Sequence, residues 1–483
     1  MSKSIKTNFL FNVINTVIGL LFPLITFPYA TRILMAEGIG QVNFFNSIIN
    51  YLVLFAGLGI PIYGVREIAR VRDDSEELTK TTIEILSLNL ILTLVGYTVV
   101  VLFCFTIPDI KENVSLFLVL SLTLLLNAIG CNWFYSGIEE FKFIAVRSLV
   151  FRLLSLIILF GLVKTKEDLL YYGIFTVFTN VGSYLINFLS LPRYMRWDTL
   201  SIRKLNIKRH IGPACTVFMF SIVTSIYLNL DKVMLGFIQD SSAVGYYTAA
   251  SQISHILLTL VVSLGTVLLP RASNLIKNGK LDEFYKMTEK SYHFILLLSM
   301  PISFGCMVLS QPLIHVLCGN SYEPAIKTLV LISPIILIIG ISQLIGMQVF
   351  YPLGKIKTVT LSTCSGALVN LILNAILIPH LAQDGAAIST VAAEFSVTFS
   401  LLIFAKGAIP FKLFSITFFR YLGCSLIMAI FCFSILKTTA FEDWQYLILI
   451  PVIGGLVYGC MLYVLKDNLL NESINMILTK VKK

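Results

Sequence analysis

Apolar runs of about 20 residues recur along the whole chain, and this feature constrains the fold more than any other. A helix of that length crosses a hydrocarbon layer of roughly 30 Å. Apolar residues make up 57% of the 483 residues and charged residues only 13%, whereas ordinary soluble domains are about 25% charged. Because a soluble core cannot bury this excess, the pattern predicts a membrane protein with about 14 spans.

The predicted spans are helices, because lipid excludes open sheet edges and the alternation typical of barrel strands is missing. We therefore expect an all-α polytopic protein with two pseudo-symmetric six-helix bundles and two further helices at the C-terminal end. The expected divisions are an N-terminal lobe over 1–192, a basic cytoplasmic linker over 193–210, a C-terminal lobe over 211–407, and a last segment over 408–483 that ends in a basic cytoplasmic tail.

The two lobes are suggested by an internal repeat. In the first half Arg32 precedes an outer turn that ends at Gly40, and in the second half Lys232 precedes a turn that ends at Gly245. An isoleucine follows each glycine at the same spacing, at positions 48 and 253. Parallel repeats of this kind are one transporter architecture. The competing interpretation is a chance similarity between apolar segments.

The net charge of +10 reflects topology. Most Lys and Arg residues fall on alternate loops, which places both termini in the cytoplasm by the positive-inside bias. The larger inner loops cover 64–80, 193–210 and 271–289. The basic balance thus indicates membrane orientation and contact with membrane lipids, and we expect no nucleic-acid partner.

Motifs for cofactors, metals and catalysis are not evident. The nine cysteines show no Cys-x-x-Cys spacing, and neither a phosphate-binding loop nor a His/Cys metal pattern occurs. The outer loops are too short for an extracellular catalytic domain. We therefore expect no enzyme activity, no cofactor and no metal, and the helices themselves must carry the function.

Charged residues inside spans are the candidate functional residues, because each costs roughly 2.5–3.5 kcal/mol at the bilayer centre on insertion scales. Arg152 lies near the middle of the fifth span and is expected to face a cavity. Asp231 and Lys232 lie in the outer third of the seventh span, about 100° apart on a helix. They either border a hydrated cavity, or Lys232 reaches the membrane surface while Asp231 braces a neighbouring helix.

The remaining candidates for this cationic cavity are Arg32, at the outer end of the first span, Arg147 and His255. Arg147 lies closer to the cytoplasm than Arg152 and is expected at the inner rim. His255, near the middle of the eighth span, is either a ligand or a packing histidine, and packing is the favoured interpretation. Glu394 in the twelfth span is either a counter-ion for one of these bases or a coupling site for H⁺ or Na⁺. An excess of bases favours an anionic substrate, since Arg and Lys donate to phosphate and carboxylate.

Several motifs resemble those of bacterial polysaccharide flippases of the O-antigen type. The residues concerned are NWFYSGIEEFK at 132–142, DKVMLG at 231–236 with VGYYTAA at 244–250, and NLILN at 370–374 followed by IP at 378–379 and GAAISTV at 385–391. Together they cover most of the chain. Met35 and Ala36 depart from the pattern, since relatives usually carry glycine in this turn.

This resemblance implies the fold of the multidrug, oligosaccharidyl-lipid and polysaccharide exporter superfamily in the bacterial cytoplasmic membrane. It implies transport of an undecaprenyl-pyrophosphate-linked oligosaccharide by alternating access, driven by an H⁺ or Na⁺ gradient. The implied partners are this lipid-linked oligosaccharide, membrane lipids, and a glycan polymerase or other assembly proteins.

Two alternatives share the fold. A lipid II flippase would have a similar basic cavity and would differ mainly in its substrate. A drug/cation antiporter would need acids along the first lobe's cavity, yet the first span offers Arg32 and no carboxylate before Glu37. The antiporter is therefore the less favoured of the two.

Overall fold

The computed structural model describes residues 5–196, 198, 205–405, 409, 412–467 and 469–471. All regular structure in these residues is helical, which confirms the predicted all-α fold. The predicted basic tail beyond residue 471 and the middle of the predicted linker, residues 199–204, lie outside the described residues.

Ten helices form the first part of the chain. Their bounds are α1 Ile5–Gly57, α2 Ile60–Val71, α3 Ser75–Thr106, α4 Pro108–Glu112, α5 Val114–Ile129, α6 Asn132–Gly137, α7 Phe141–Leu162, α8 Leu169–Val177, α9 Tyr184–Ser190 and α10 Lys208–Ile238. A π-helical turn over Phe178–Gly182 joins α8 to α9, and a 3₁₀ turn over Leu191–Tyr194 follows α9.

Eight helices follow. Their bounds are α11 Ser241–Lys277, α12 Leu281–Val308, α13 Ser310–Cys318, α14 Ala325–Ile332, α15 Ile335–Gln343, α16 Ile356–Phe404, α17 Ile416–Thr438 and α18 Asp443–Val464. A 3₁₀ turn covers Asn320–Tyr322, and a π-helical segment covers Leu344–Phe350.

By length and composition, ten helices in the described residues could cross a membrane, or eleven if the bent pair around residue 183 is one span. Two of these stretches, Phe22–Val71 and Ile356–Phe404, are 50 and 49 residues long. At about 1.5 Å per residue each exceeds 70 Å, more than twice the hydrocarbon thickness. Each can therefore supply two spans, and the total of about 14 stays a prediction.

The two long helices bend at residues with left-handed backbone. Met35 in α1 has φ 56° and ψ −176°, and Ala382 in α16 has φ 46° and ψ −127°. Positive φ is costly for residues with a Cβ, and the Met35 conformation lies close to a region that glycine occupies almost alone. This explains physically why a glycine would suit the turn in which Met35 stands.

Contacts divide the chain into two units, Met1–Gly245 and Tyr246–Lys483. In the first unit α1 packs against α3, α5, α7 and α10. In the second unit α12 packs against α15 and α17, and α17 packs against α18. The first unit includes α10, the predicted seventh span. The predicted lobes at 1–192 and 211–407 stay a prediction.

The turn of α1 around Met35 and Gly40 makes a contact of backbone against backbone. A Cβ added to Gly40 would lie 1.6 Å from the carbonyl oxygen of Ser241 and 2.7 Å from the nitrogen of Gly245. A Cβ added to Gly245 would lie 2.0 Å from the carbonyl oxygen of Ala36. The two glycines that mark the internal repeat therefore meet each other, and neither position has room for a side chain.

An aromatic core supports the helix break between α5 and α6. Cys131 at this break has φ 44°, and the next residues Trp133, Phe134 and Tyr135 are all buried. They belong to a cluster formed with residues of α2, α3 and the start of α10. Asn187 of α9 donates from Nδ2 to the buried carbonyl of Gly130 at 2.5 Å, so one free carbonyl at the C-terminal end of α5 has a partner.

Candidate functional site

Arg152 lies in α7 and is half-buried against the first half of α1. A Cβ added to Gly19 of α1 would lie 3.5 Å from Nη1 of Arg152, so the guanidinium packs directly on this glycine. The hydroxyl of Ser155 donates to the Arg152 carbonyl at 2.7 Å. The fifth predicted span thus places a cation beside α1, and its expected position facing a substrate cavity stays a prediction.

Asp231 and Lys232 face different surroundings in α10. Asp231 is buried, with 7% of its surface exposed, whereas Lys232 is half-buried. The Lys232 ammonium donates to Oδ1 of Asn43 in α1 at 3.4 Å. One turn earlier in α10, Asn229 accepts from Nδ2 of Asn50 at 3.4 Å. The contact between α1 and α10 therefore carries a polar stripe with the Lys232 cation in it.

Close packing beside this stripe depends on a glycine. A Cβ added to Gly236 of α10 would lie 2.1 Å from the ring of Phe44 in α1. Phe44 is fully buried and packs edge-on against Phe237 at 5.0 Å between ring centroids. The DKVMLG motif thus combines a charged pair with the small residue that lets α10 approach α1.

Arg147 is enclosed by aromatic rings inside the first unit, with 5% of its surface exposed. Its guanidinium carbon lies 5.8 Å from the ring centroid of Tyr135, 5.6 Å from that of Phe143 and 5.5 Å from that of Tyr184. Nη2 donates to Oδ1 of Asn132 at 2.6 Å. Its expected role in a substrate cavity stays a prediction.

The other predicted site residues lie apart from this region or in the second unit. Arg32 of α1 is exposed. His255 of α11 is exposed, and its carbonyl accepts from the Thr259 hydroxyl at 2.8 Å. Glu394 of α16 is half-buried. Their expected roles as cavity base, ligand and coupling acid stay predictions.

A buried ionic network in the first unit was not anticipated from the sequence. Glu84 of α3 is fully buried, and one of its oxygens, Oε2, lies 2.7 Å from Nε of Arg209 and 2.8 Å from Nε2 of His210. Its other oxygen accepts from the backbone N–H of Asn206 at 2.6 Å. On the far side of the imidazole, the Tyr63 hydroxyl lies 2.7 Å from Nδ1 of His210.

This network ties the start of α10, and Asn206 just before it, to α2 and α3. Burial of a carboxylate is tolerated only with paired charges and hydrogen bonds, and Glu84 has both. The sequence did contain one signal, a single acid inside the apolar third span. Its partners lie more than 100 residues away in the chain, so the pairing itself could not be read from spacing.

A second buried acid lies just beyond the bend in α16. Oδ2 of Asp384 lies 2.8 Å from Nζ of Lys327, and its Oδ1 accepts from the Thr328 hydroxyl at 2.7 Å. Before the bend, Asn374 donates to Oδ1 of Asn370 at 3.1 Å, and both residues are fully buried. These contacts fix the bend at Ala382 within the second unit.

An apolar groove of about 700 Å³ runs between α12, α17 and α18 in the second unit. Gly305, Gly455 and Gly459 line it, and a Cβ at any of the three would meet no heavy atom of the described neighbouring residues within 4 Å. Leucine, isoleucine and proline side chains form most of the remaining wall. The wall of the groove is therefore mostly apolar, with open space at the three glycines.

Two family models match parts of the sequence. Residues 5–276 match the family model described as polysaccharide biosynthesis protein. The chain belongs to the polysaccharide biosynthesis protein family. A second family model, MatE, matches residues 216–376.

Curated relatives of this family member include transporters and flippases. The chain is 25% identical to a putative O-antigen transporter of Escherichia coli K12 over 390 residues, which cover 80% of this chain and 93% of the relative. It is also 25% identical to a probable lipid II flippase MurJ of Rickettsia prowazekii over 208 residues, covering 42% of this chain and 40% of the relative.

A solved structure extends the fold assignment to 96% of the chain. The lipid II flippase MurJ in an inward closed conformation aligns with a TM-score of 0.76 at 18% identity, covering 96% of this family member and 100% of MurJ. At this identity the likeness concerns the fold. The predicted MATE-like fold and the predicted membership among polysaccharide exporters are confirmed.

Proposed function

We propose that this protein moves a lipid-linked oligosaccharide, in undecaprenyl-pyrophosphate form, from the inner to the outer leaflet of the bacterial cytoplasmic membrane. The anionic head group binds the cationic side of the first unit, with Arg152 and Lys232 as the principal contacts. The protein works by alternating access, and an H⁺ or Na⁺ gradient drives the cycle. A glycan polymerase or another assembly protein receives the product.

The observation that carries the proposal is the environment of Lys232. Its ammonium lies within a membrane helix and its hydrogen-bond partner is the neutral amide of Asn43. Among the described residues no carboxylate forms an ion pair with it, although the adjacent Asp231, about 100° round the helix, interacts with it electrostatically. A lysine at a polar contact between two membrane helices is suited to a phosphate-bearing substrate.

The relatives support the same substrate class. The putative O-antigen transporter aligns over most of both chains, and a probable low-salt glycan biosynthesis flippase of Haloferax volcanii aligns over 37% of this one. The apolar groove of the second unit adds a place for the lipid. The leucine, isoleucine and proline lining of this groove suits a polyprenyl chain.

A lipid II flippase is the second candidate, supported by the MurJ relatives at 25–27% identity. Lipid II carries the same polyprenyl pyrophosphate, so the cationic residues and the groove suit both substrates. A drug/cation antiporter has less support, because its cargo would be repelled by Arg152 and Lys232.

Transport in liposomes tests the proposal. The full chain is reconstituted, and a fluorescent undecaprenyl-pyrophosphate oligosaccharide is followed by bleaching with a membrane-impermeant reductant. We expect faster bleaching of inner-leaflet lipid than in protein-free liposomes. Equal rates contradict the proposal. Labelled lipid II is measured in parallel, and a clear preference for it would select the second candidate.

A further inference from the structure

A pocket of about 570 Å³ in the second unit is lined by α11 and α12, which are joined by the turn at 278–280. Leu268 and Arg271 line it from α11, seven residues between Glu283 and Ile295 line it from α12, and Gln348 of the π-helical segment completes the lining. Pockets that bind small molecules measure roughly 300–1,000 Å³. This pocket is therefore large enough for a ligand, and it contains none of the residues proposed as substrate contacts.

The α12 wall of the pocket changes from charged to apolar along the helix. Lys286 and Lys290 line it one turn apart near the start of α12, and Phe294 follows one turn further along, with Ile295 beside it. Residues at i and i+4 share one face of a helix. The change from Lys286 to Phe294 extends over about 12 Å at the helical rise. One face of α12 thus offers a charged end and an apolar end to the same ligand.

The α11 wall shows the same change in the opposite chain direction. α11 runs toward the turn, and Leu268 precedes Arg271 on it. The bases of both helices therefore lie nearer the turn, and the apolar residues of both lie further from it. The turn belongs to the predicted inner loop at 271–289, which places the bases at the level of the cytoplasmic head groups and the apolar residues toward the acyl chains.

The lining residues carry three bases and one acid. The acid, Glu283, is already paired, because Nζ of Lys280 lies 2.8 Å from its Oε1. Lys280 is not a lining residue. Arg271 and Lys286 also interact electrostatically with the Glu283 carboxylate. One carboxylate thus faces several bases, and the pocket keeps an excess of positive charge.

Arg271 and Lys286 supply this excess at the end near the turn. Both side chains are exposed, and within the part of the chain that the structure describes neither forms an ion pair. Asp282 and Glu289 of α12 lie outside the pocket lining. A guanidinium presents a planar fork that fits phosphate oxygens, and an ammonium adds a compact charge. This end of the pocket therefore favours a phosphate group.

A packed core holds the walls of the pocket together. Ala272 of α11, Phe284 of α12 and Phe350 of the π-helical segment are fully buried in one hydrophobic cluster, which also contains Leu275. The elements that line the pocket are therefore packed against one another before a ligand arrives. Binding to a preformed pocket avoids the cost of ordering its walls.

We propose that this pocket binds an anionic phospholipid of the membrane. The head-group phosphate contacts Arg271 and Lys286, and the glycerol and upper acyl chains lie against Leu268, Met287 and Phe294. Basic pockets between membrane helices on the cytoplasmic side suit such head groups. A soluble anion would use only the charged end, whereas the apolar end beside it suits an amphipathic ligand. The site does not depend on which glycan the protein moves.

Native mass spectrometry of the delipidated full chain in detergent tests the site. Dioleoyl phosphatidylglycerol is titrated, and dioleoyl phosphatidylcholine, which has the same acyl chains and no net charge, is titrated in parallel. We expect the first phosphatidylglycerol to bind at least tenfold more tightly than the first phosphatidylcholine. It should also raise the unfolding temperature, since a ligand of the folded state stabilises it. Equal binding of the two lipids overturns the proposal.

Two double variants locate the bound lipid. Arg271→Gln/Lys286→Gln removes two charges from the pocket and should weaken the first phosphatidylglycerol at least tenfold. The matched control, Lys277→Gln/Lys357→Gln, removes two charges from exposed positions of the same unit outside the lining and should bind like the parent protein. Should the pocket variant not fold, Lys286→Gln alone replaces it, with about threefold weaker binding expected. Unchanged binding in the pocket variants, or an equal loss in the control, overturns the assignment to this pocket.

Competition identifies the source of the phosphate group. Inorganic phosphate and undecaprenyl pyrophosphate are each added to the protein loaded with phosphatidylglycerol. We expect millimolar inorganic phosphate to leave the lipid bound, and undecaprenyl pyrophosphate to displace it no better than further phosphatidylglycerol does. Displacement by inorganic phosphate would identify a site for soluble anions. Displacement by undecaprenyl pyrophosphate at a lower concentration would identify a substrate site, and either result overturns the proposal.

Discussion

Glu84 and Arg209 form a close ion pair in which Nε and Nη2 of Arg209 lie 2.7 and 2.6 Å from the same carboxylate oxygen. Glu84 is fully buried, while the Arg209 side chain is 38% exposed. The pair joins α3 to the start of α10, so it holds the chain at the end of the predicted linker over 193–210. A contact of this kind should contribute to stability because its loss leaves buried donors unsatisfied.

We expect Glu84→Gln to lower the free energy of unfolding by about 1–3 kcal/mol, since Arg209 and His210 lose a charged acceptor. Thermal unfolding in detergent measures the change. Glu67→Gln is the control, because Glu67 pairs with the exposed Arg70 and such surface pairs contribute about 1 kcal/mol or less. An equal fall in unfolding temperature for both variants contradicts a special role for Glu84.

Arg152→Ala and Lys232→Ala should each reduce surface glycan by about tenfold or more, the loss expected for one charged contact worth roughly 1.4 kcal/mol. Protein level and membrane insertion should stay unchanged. Lys280→Ala provides a control, since Lys280 forms an exposed pair with Glu283. Normal glycan display in both test variants would remove the cationic site from the mechanism.

Glu394 tests the proposed energy source. If its carboxylate carries the driving ion, Glu394→Gln should transport equally well with and without an imposed H⁺ or Na⁺ gradient, because an amide cannot exchange a proton or supply a charge. Transport into vesicles under both conditions is the measurement. Glu323→Gln, at an exposed position, should keep the response of the parent protein. Retention of that response in Glu394→Gln excludes this carboxylate from coupling.

Filling the apolar groove with a larger side chain tests whether the polyprenyl chain binds there. Gly455→Leu should fold, because a Cβ at this position meets no described neighbour within 4 Å, yet the added side chain occupies the groove. We expect slower transport of polyprenyl substrates with an unchanged unfolding temperature. Gly423→Leu is the matched control, since Gly423 has equal space and is not among the groove-lining residues. Equal transport by both variants would place the lipid chain elsewhere.

Two substitutions of Met35 should shift the unfolding temperature in opposite directions. Met35→Gly relieves a left-handed conformation that costs roughly 1–2 kcal/mol for an L-residue, against about 0.5–1 kcal/mol of added backbone freedom. A small rise in unfolding temperature is therefore expected. Met35→Val should lower it, because β-branched side chains tolerate this backbone least. The reverse order of the two variants would show that the turn relaxes in solution.

The sequence predicted best those features that depend only on local properties, namely the helices and the charged residues within them. Apolar length predicted the helices, and the charges at 152, 231 and 232 were placed in spans because insertion costs are high. The departure at Met35 coincides with the bend in α1. Each of these inferences needs only local properties of the chain.

The sequence was least informative about which side chains surround a residue. Arg147 was assigned a depth in the membrane, but depth does not reveal that Tyr135, Phe143 and Tyr184 enclose it. In the sequence Glu84 is a single acid in an apolar run. Only the packing of α3 against the start of α10 shows that Arg209 and His210 are its partners. Both environments arise from helix packing between distant segments, which periodicity does not encode.

The contact between Gly40 and Gly245 limits how the sequence can vary. Main-chain atoms meet there directly, so compensating changes in neighbouring side chains cannot create space for even one methyl group. We therefore expect saturation mutagenesis with selection for surface glycan to recover only glycine at both positions. The apolar residues around them should accept other apolar side chains. The contact between these two turns is therefore fixed by backbone geometry, and the glycine at each position limits which substitutions the other position can accept.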